Sequence, residues 1–296
     1  MLDYKLIEAL AMVVREEGFD RAGRVLGITQ SAVSQRIRSL EEQTGQVLLA
    51  RTTPPRATPA GRRMLKHYLQ VKRLEEELVE GMDQGVEKGF ATLSLGLNAD
   101  SLATWFLEAV GDFLSESRVL LDIRVDDQEQ THRFLKDGEV VGCISTRAQP
   151  IQGCRSAYLG RMRYRLLAAP KFAAKWFPQG LTREGAARAP ALIFNHRDEL
   201  HHQLLYQILG ELPWPIPAHY VPSSERFVDI IDSGLAYGML PDLQSRSLLE
   251  EGRLVDLAPD RNLPVELYWH CWNIRSNLLE DLTRHLIEQS DRRLDR

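Results

Sequence analysis

The chain has 296 residues, of which 44% are hydrophobic and 26% are charged, and its formal net charge is -4. This length is enough for two or three domains with separate cores, and the composition is ordinary for a soluble globular protein. The net charge gives no sign of general attraction to nucleic acid, and no apolar run approaches the length of a membrane span. Since the N-terminus does not resemble a signal peptide either, we expect a cytoplasmic protein with no membrane partner.

Positive charge is concentrated near the N-terminus. Between Arg21 and Lys66 the chain carries nine basic residues and two acidic ones, so the remainder is correspondingly acidic. A basic segment attached to an acidic body predicts a nucleic-acid contact confined to one end of the molecule.

Two helices are predicted at the start of the chain. The first ends at Gly18, and the second is short, capped by Asp20 and followed by a turn at Gly27. The first helix has an apolar stripe at helical spacing, formed by Leu2, Leu6, Ile7, Leu10, Val13 and Val14. In the second helix the residues expected to face inward are Ala22, Val25 and Leu26.

The stretch "GITQSAVSQRIRSLEEQTG" (27–45) predicts a third helix with two different faces. Thr29 caps the helix, and an apolar stripe is formed by Val33, Ile37 and Leu40. A solvated helix could carry the same polar face, but two short helices joined by a glycine turn describe a helix-turn-helix, whose second helix enters a DNA major groove. The residues of this helix predicted to contact DNA are Thr29, Gln30, Ser31, Ser34, Gln35 and Arg38.

The next segment, "QVLLARTTPPRATPAG" (46–61), predicts a short strand, a proline-stiffened loop and a new helix capped by Thr58. A basic hairpin beside a recognition helix is a wing, which suits contact with phosphates or the minor groove. The wing residues predicted to contact DNA are Arg51, Thr53, Pro54, Pro55 and Arg56.

A long helix is predicted from Pro59 to about Gly85. Its apolar stripe is close to a heptad seam, formed by Met64, Tyr68, Val71, Leu74, Leu78 and Met82. An ordinary core-facing helix would show a similar stripe. We favour a dimerisation helix, because no compact partner is evident between the winged unit and the later domain.

The remainder alternates strands and helices, which favours a parallel sheet with crossover helices. The strands include "ATLSLGLNAD" (91–100), "VLLDIRVDD" (119–127) and "VVGCIST" (140–146), and a second unit begins near Tyr164. A late strand, "VELYWHC" (265–271), returns to the first unit. The predicted fold is therefore α/β: an N-terminal all-α winged helix-turn-helix (1–58), a long linker helix (59–88) and a two-lobed α/β domain (89–296). Lobe I spans about 91–162 and 268–296, and lobe II about 163–267.

This order of elements resembles the LysR-type transcriptional regulators. "ITQSAVSQRIRSLE", "LLARTTPPRATPAG" and "LNADSLATWFL" resemble one branch in particular, the ArgP/LysG regulators. The resemblance implies an effector domain of the type II periplasmic-binding-protein kind, an effector that is lysine or arginine, and control of genes for amino-acid transport, export or metabolism. It runs through nearly the whole chain and is most specific at 18–61 and 96–107.

Ligands of open parallel sheets bind beyond the carboxyl ends of the strands, so we expect the effector there. Helix N-termini capped by Ser101 and Ser224 would hold a carboxylate, and acidic side chains would pair with cationic groups. Taken singly, each residue fits ordinary capping or solvation better; taken together, they favour a ligand site. The candidate residues are Asn98, Asp100, Ser101, Asp127, Glu129, Ser145, Thr146, Asn195, Ser223, Ser224 and Glu225.

Other chemistry finds little support in the sequence. The three histidines His196, His201 and His202 lack partners for a tetrahedral metal set, and three scattered cysteines form neither a disulfide framework nor a zinc site. Neither a glycine-rich phosphate loop nor a serine nucleophile elbow is present. We therefore expect no metal, no cofactor and no enzymatic activity.

These observations predict a homodimeric or homotetrameric transcription regulator that senses a small effector. The residues alone indicate a small zwitterion or cation. The expected partners are double-stranded operator DNA and the amino-acid effector, with RNA polymerase as a further candidate. The alternatives are a regulator of this type with a different effector and an α/β solute-binding protein or enzyme with a coincidental helix-turn-helix.

Overall fold

A computed structural model describes residues 2–82, 89–126, 131–210 and 216–296. The N-terminal head and the linker helix contain α1 (Tyr4–Arg15), α2 (Phe19–Leu26), α3 (Gln30–Thr44), β1 (Leu49–Ala50), β2 (Arg56–Ala57) and α4 (Pro59–Met82). The strands β1 and β2 pair antiparallel and form the predicted wing.

The head is a helix-turn-helix, as the sequence predicts. Gly27 ends α2 in the left-handed conformation (φ 66°), and Thr29 caps α3 by accepting a 3.2 Å hydrogen bond from the backbone N–H of Ala32. Two details of α2 differ from our expectation: the cap is Gly18 rather than Asp20, and Val25 is exposed. Asp20 lies in the first turn and pairs with Arg24, because its side chain points along the helix.

The core of the head collects the apolar stripes of α1 and α3. It also takes in side chains from the wing and the start of α4, so the three helices and the hairpin form one unit. Its buried members include Ile7, Leu10, Val13, Val33, Ile37, Leu40, Leu48, Leu49, Leu65 and Tyr68.

The body contains nine strands and nine helices among the described residues. The elements before the midpoint are β3 (Ala91–Asn98), α5 (Ala99–Thr104), α6 (Phe106–Glu116), β4 (Val119–Asp126), α7 (His132–Asp137), β5 (Gly142–Ser145) and β6 (Cys154–Ala168). Those after it are α8 (Pro170–Trp176), α9 (Arg183–Arg188), β7 (Ala191–Ile193), α10 (Leu200–Leu209), β8 (Ala218–Tyr220), α11 (Ser224–Asp232), β9 (Tyr237–Pro241), α12 (Asp242–Glu250), β10 (Val255–Asp256), β11 (Leu263–Trp272) and α13 (Asn277–Ser290).

One sheet runs through the body in the order β4-β3-β5-β11-β6-β9-β7-β8, with β10 paired to β6. In the first half β3 pairs in parallel with β4 and β5, and in the second half β7 pairs in parallel with β8 and β9. The long strands β6 and β11 pair antiparallel with each other and join the halves, so the sheet is mixed rather than purely parallel. Their register shifts between Leu267 and Tyr268, where the chain passes from one half to the other.

The first turns of the linker helix pack against the head of the same chain, where we expected no compact partner. Tyr68 is buried in the core of the head, where its ring lies 6.4 Å from that of Tyr4, and Met64 packs against the same core. Further along, Leu74 and Leu78 are exposed, and Leu78 is 65% exposed. The heptad-like stripe therefore serves two purposes: its first turns complete the head, and its later leucines lie on the surface.

No helix in the described ranges combines the length and apolar composition that crossing a bilayer requires.

Candidate functional site

The polar face of α3 is presented to solvent. Ser31, Gln35 and Arg38 are exposed, while the opposite face of the helix is in the core of the head. The exposed hydroxyl, amide and guanidinium groups are those that read base edges in a major groove.

The wing lies next to this helix. A cavity of about 320 Å³ is lined by Gln30 and Ser34 from α3 and by Arg51, Thr53 and Pro55 from the wing. The structure thus brings the two predicted groups of DNA-contact residues together on one surface. The remaining wing residues lie beside it, with Arg56 exposed and Pro54 half-buried.

In the body, the carboxyl ends of β3 and β4 lie side by side. Asn98 and Asp126 are opposite each other in the parallel register, so their side chains share a face of the sheet. Asn98 is 2% exposed, and neither its Oδ1 nor its Nδ2 has a hydrogen-bond partner among the described residues. A buried amide without partners is costly, which makes it a candidate for contact with a ligand.

Asp100 accepts hydrogen bonds from two distant parts of the chain. Tyr164 Oη on β6 donates to Oδ2 at 2.6 Å, and Ser224 Oγ at the start of α11 donates to Oδ1. Burial raises the pKa of Asp100 above its ordinary value, although both hydrogen bonds act to lower it. This network ties α5 of the first half to α11 of the second.

A second polar contact crosses between the halves. Arg197, in the loop after β7, places Nη2 2.8 Å from Oδ1 of Asp126. Asn195 supports this loop, since its Oδ1 accepts a 2.7 Å hydrogen bond from the backbone N–H of Arg197.

Ser101 does not cap a helix. It lies inside α5, is fully buried, and its Oγ accepts a 3.1 Å hydrogen bond from Trp105 Nε1. The cap position belongs to Asn98, three residues earlier, because β3 ends there and the helix starts at once. Similarly, Ser224 is the first residue of α11 and Ser223 is its cap.

The other candidates differ in exposure. Ser145 is fully buried and accepts a 3.3 Å hydrogen bond from the backbone N–H of Arg147, Thr146 is half-buried, and Glu225 is exposed. Asp127 and Glu129 lie outside the described residues, as does the side chain of Met82.

Three residues of these networks were missing from our candidates: Asp126, Tyr164 and Arg197. Asp126 and Arg197 lie in the same strand-end segments as the candidates Asp127 and Asn195, so the sequence did contain a signal for them. Tyr164 gave none, because an aromatic residue in an apolar strand is ordinarily a core residue. Within the described ranges, no group of three or more histidine, cysteine or carboxylate side chains is arranged to hold a metal ion.

Comparison with known proteins gives matches over the whole chain. The protein-family model described as "Bacterial regulatory helix-turn-helix protein, lysR family" matches residues 4–62. A second family model, the LysR substrate binding domain, matches residues 88–291. The HTH-type transcriptional regulator ArgP of Pseudomonas fluorescens is 46% identical over 291 residues, covering 98% of this chain and 97% of its own.

Solved structures also match over the whole chain. ArgP from Mycobacterium tuberculosis superposes with a TM-score of 0.87 at 38% identity, covering 100% of this chain and 99% of its own. Full-length LysG from Corynebacterium glutamicum with bound effector Arg gives a TM-score of 0.77 at 28% identity, with both chains fully covered. With its winged head, its linker helix and its two-part mixed sheet, the chain belongs to the LysR family of transcriptional regulators.

Proposed function

We propose that this regulator binds operator DNA through its head and a basic amino acid, L-lysine or L-arginine, between the two lobes of its body. The observation that carries the effector half is the pair of polar contacts between the lobes, one at Asp100 and one at Asp126. Carboxylates at the meeting point of two lobes suit a cationic ligand. The similarity to a LysG structure with bound arginine supports the same ligand class.

We assign the parts of the chain as the sequence suggests: a DNA-binding head (1–58), a linker helix (59–88) and an effector domain (89–296). The exposed α3 face and the wing contact DNA. Leu74 and Leu78 on α4 contribute to a homodimer or homotetramer, since two operator half-sites require a symmetric protein.

The effector site is assigned to the candidates at strand ends and helix starts, which are Asn98, Asp100, Asp127, Glu129, Ser145, Thr146, Asn195, Ser223, Ser224 and Glu225. Ser101 is withdrawn from it, since its hydroxyl is buried against Trp105. The ligand acts by stabilising one arrangement of the lobes over another, and it shifts their equilibrium only by its differential affinity for the two.

Calorimetry with matched ligands tests this proposal. L-norleucine has nearly the shape of L-lysine without the terminal charge. Loss of a charged contact lowers affinity by about tenfold or more, so L-lysine or L-arginine should bind and L-norleucine should bind at least about ten times more weakly. Equal affinities for L-lysine and L-norleucine, or no binding of either basic amino acid, would contradict it.

A further inference from the structure

The ion pair between Asp126 and Arg197 links the two lobes directly. Asp126 ends β4 in the first lobe, and Arg197 follows β7 in the second. Their side chains are 25% and 50% exposed, so the pair is partly solvated. Partly solvated ion pairs contribute little to stability, and this one can open when both members gain better partners.

Asn98 lies beside this pair. It is opposite Asp126 in the register of β3 and β4, and its buried amide has no partner among the described residues. An amide offers two donors at Nδ2 and an acceptor at Oδ1. Among the described residues, this place presents the Asp126 carboxylate, the Arg197 guanidinium and the Asn98 amide.

We propose that Asn98, Asp126 and Arg197 bind the head group of an α-amino acid, with Arg197 on the carboxylate and Asp126 on the ammonium. This inference rests on the proposed function, since it adds the position of the head group to an effector already placed between the lobes. The guanidinium fork matches a carboxylate in two parallel hydrogen bonds, and the Asn98 amide donates to the carboxylate or accepts from the ammonium.

Charge balance favours this arrangement. When a zwitterion enters, the Asp126–Arg197 pair is replaced by two pairs of opposite charge, so neither side chain is left uncompensated. A ligand cation that merely displaced Arg197 from Asp126 would leave a guanidinium without its partner beside a second positive charge. The two arrangements predict opposite effects of removing Arg197, because Arg197 attracts the ligand in the first and competes with it in the second.

The loop geometry supports a fixed backbone position for Arg197. Asn195 holds the backbone N–H of Arg197, and Asp198 accepts hydrogen bonds from the backbone N–H groups of Phe194 (3.2 Å) and Leu200 (3.0 Å). Because the loop is held at three backbone positions, little backbone entropy is lost when Arg197 binds a ligand.

The test measures L-lysine and cadaverine by calorimetry on the wild type, Arg197→Met and Arg253→Met. Cadaverine is lysine without its carboxylate. Arg253 is the matched control: it lies in the second lobe, is 52% exposed against 50% for Arg197, and pairs with Asp232 and Glu251 of the same lobe. Thermal denaturation of each variant confirms that it is folded.

We expect the wild type and Arg253→Met to prefer L-lysine over cadaverine by about tenfold or more. Arg197→Met should lose that preference through weaker L-lysine binding, with cadaverine binding unchanged or tighter. A second variant, Asp126→Asn, should weaken binding of both ligands.

Tighter L-lysine binding by Arg197→Met would overturn the inference in favour of simple competition, and an unchanged preference would overturn it outright. In both cases the proposed function still holds, because the wild type binds L-lysine. A wild type that binds neither L-lysine nor L-arginine overturns both.

Discussion

At the scale of single residues, the α3 face and the wing should divide the work of DNA binding. Gln35→Ala and Arg38→Ala remove groups predicted to contact base edges, so each should cost about 1–3 kcal/mol of specific binding. Arg51→Ala and Arg56→Ala should weaken binding to all sequences and reduce its salt dependence, because they remove contacts to phosphate. Fluorescence anisotropy on selected and random DNA at several salt concentrations measures both effects.

The matched control is Gln43→Ala, which truncates an exposed glutamine near the C-terminal end of the same helix. The N-terminal residues of a recognition helix are the ones that contact bases, so this change should leave operator affinity as it is. Equal losses for Gln35→Ala and Gln43→Ala would refute the assignment of the face.

Asp100 should make stability depend on pH. Because its pKa is raised in the folded protein, its contribution is fully present below the ordinary carboxyl pKa of about 4 and is lost as pH rises through the raised value. Asp100→Asn removes this dependence while retaining hydrogen-bonding atoms for Tyr164 and Ser224. The Tm of the variant minus that of the wild type should therefore increase between pH 4 and pH 8.

Thermal denaturation of Asp100→Asn and the wild type between pH 4 and pH 8 tests this prediction. A difference in Tm that stays constant, or that falls with rising pH, would show that burial does not control the protonation of Asp100.

The exposure of single residues was predictable where spacing along one helix was sufficient. The exposed positions of α3 follow from periodicity alone, since Val33, Ile37 and Leu40 must face the core. The contacts of Asp100 and Asp126 join residues 124 and 71 positions apart in the chain, and no local pattern specifies such partners. Ser101 was misplaced because a strand that ends three residues earlier moves the cap to Asn98.

At the scale of elements, α4 is fixed to the first lobe at two points. Near its start, Arg62 Nε lies 2.8 Å from Asp137 Oδ1 at the end of α7, and Lys66 Nζ donates to the Gln152 carbonyl at 3.3 Å. Near its end, Glu77 accepts hydrogen bonds from Ser276 Oγ and from the backbone N–H of Asn277. A movement of the first lobe would therefore carry the linker helix and the head with it.

Gly138, which follows α7 directly, lies close to α4. It has φ 77°, and a Cβ there would lie 2.8 Å from Lys66 Cβ and 2.9 Å from Lys66 Cα. Gly138→Ala should lower the free energy of unfolding by about 2–4 kcal/mol, from left-handed strain plus overpacking. Gly252→Ala, at φ 70° with nothing within 4 Å of the added Cβ, should lose only the strain of about 1–2 kcal/mol.

Denaturation of the two alanine variants side by side separates the contact from the strain. If both lost the same stability, the approach of α4 to α7 would have no energetic importance.

Helix and strand positions were largely predictable, and strand directions were not. The predicted strands 91–100, 119–127 and 140–146 contain β3, β4 and β5, because the first two alternate apolar and polar residues and the third is an apolar run. Period-2 alternation is the same in a parallel and an antiparallel strand, so the mixed sheet did not follow from it. The 15-residue β6 runs across the boundary that we predicted between lobe I and lobe II at about 162–163.

At the scale of the whole molecule, the order of head, linker helix and two-part body was predicted and is confirmed by the family matches. The uneven charge agrees with this order. The basic stretch, residues 21–66, covers most of the head and the start of the linker helix, and the body is acidic. How the linker helix packs was not predictable, because the same stripe of apolar residues serves the head core and the exposed surface.

We propose that a basic amino acid changes how this protein binds DNA. The direct measurement is a mobility-shift titration of the wild type on a DNA fragment that it selects from random sequence, without ligand and with L-lysine, L-arginine or L-norleucine. Coupled sites typically change each other's affinity by about 5- to 150-fold. We predict a shift of the midpoint in that range with L-lysine or L-arginine and none with L-norleucine. If none of the three amino acids changed the midpoint of the DNA titration, this proposal would be contradicted.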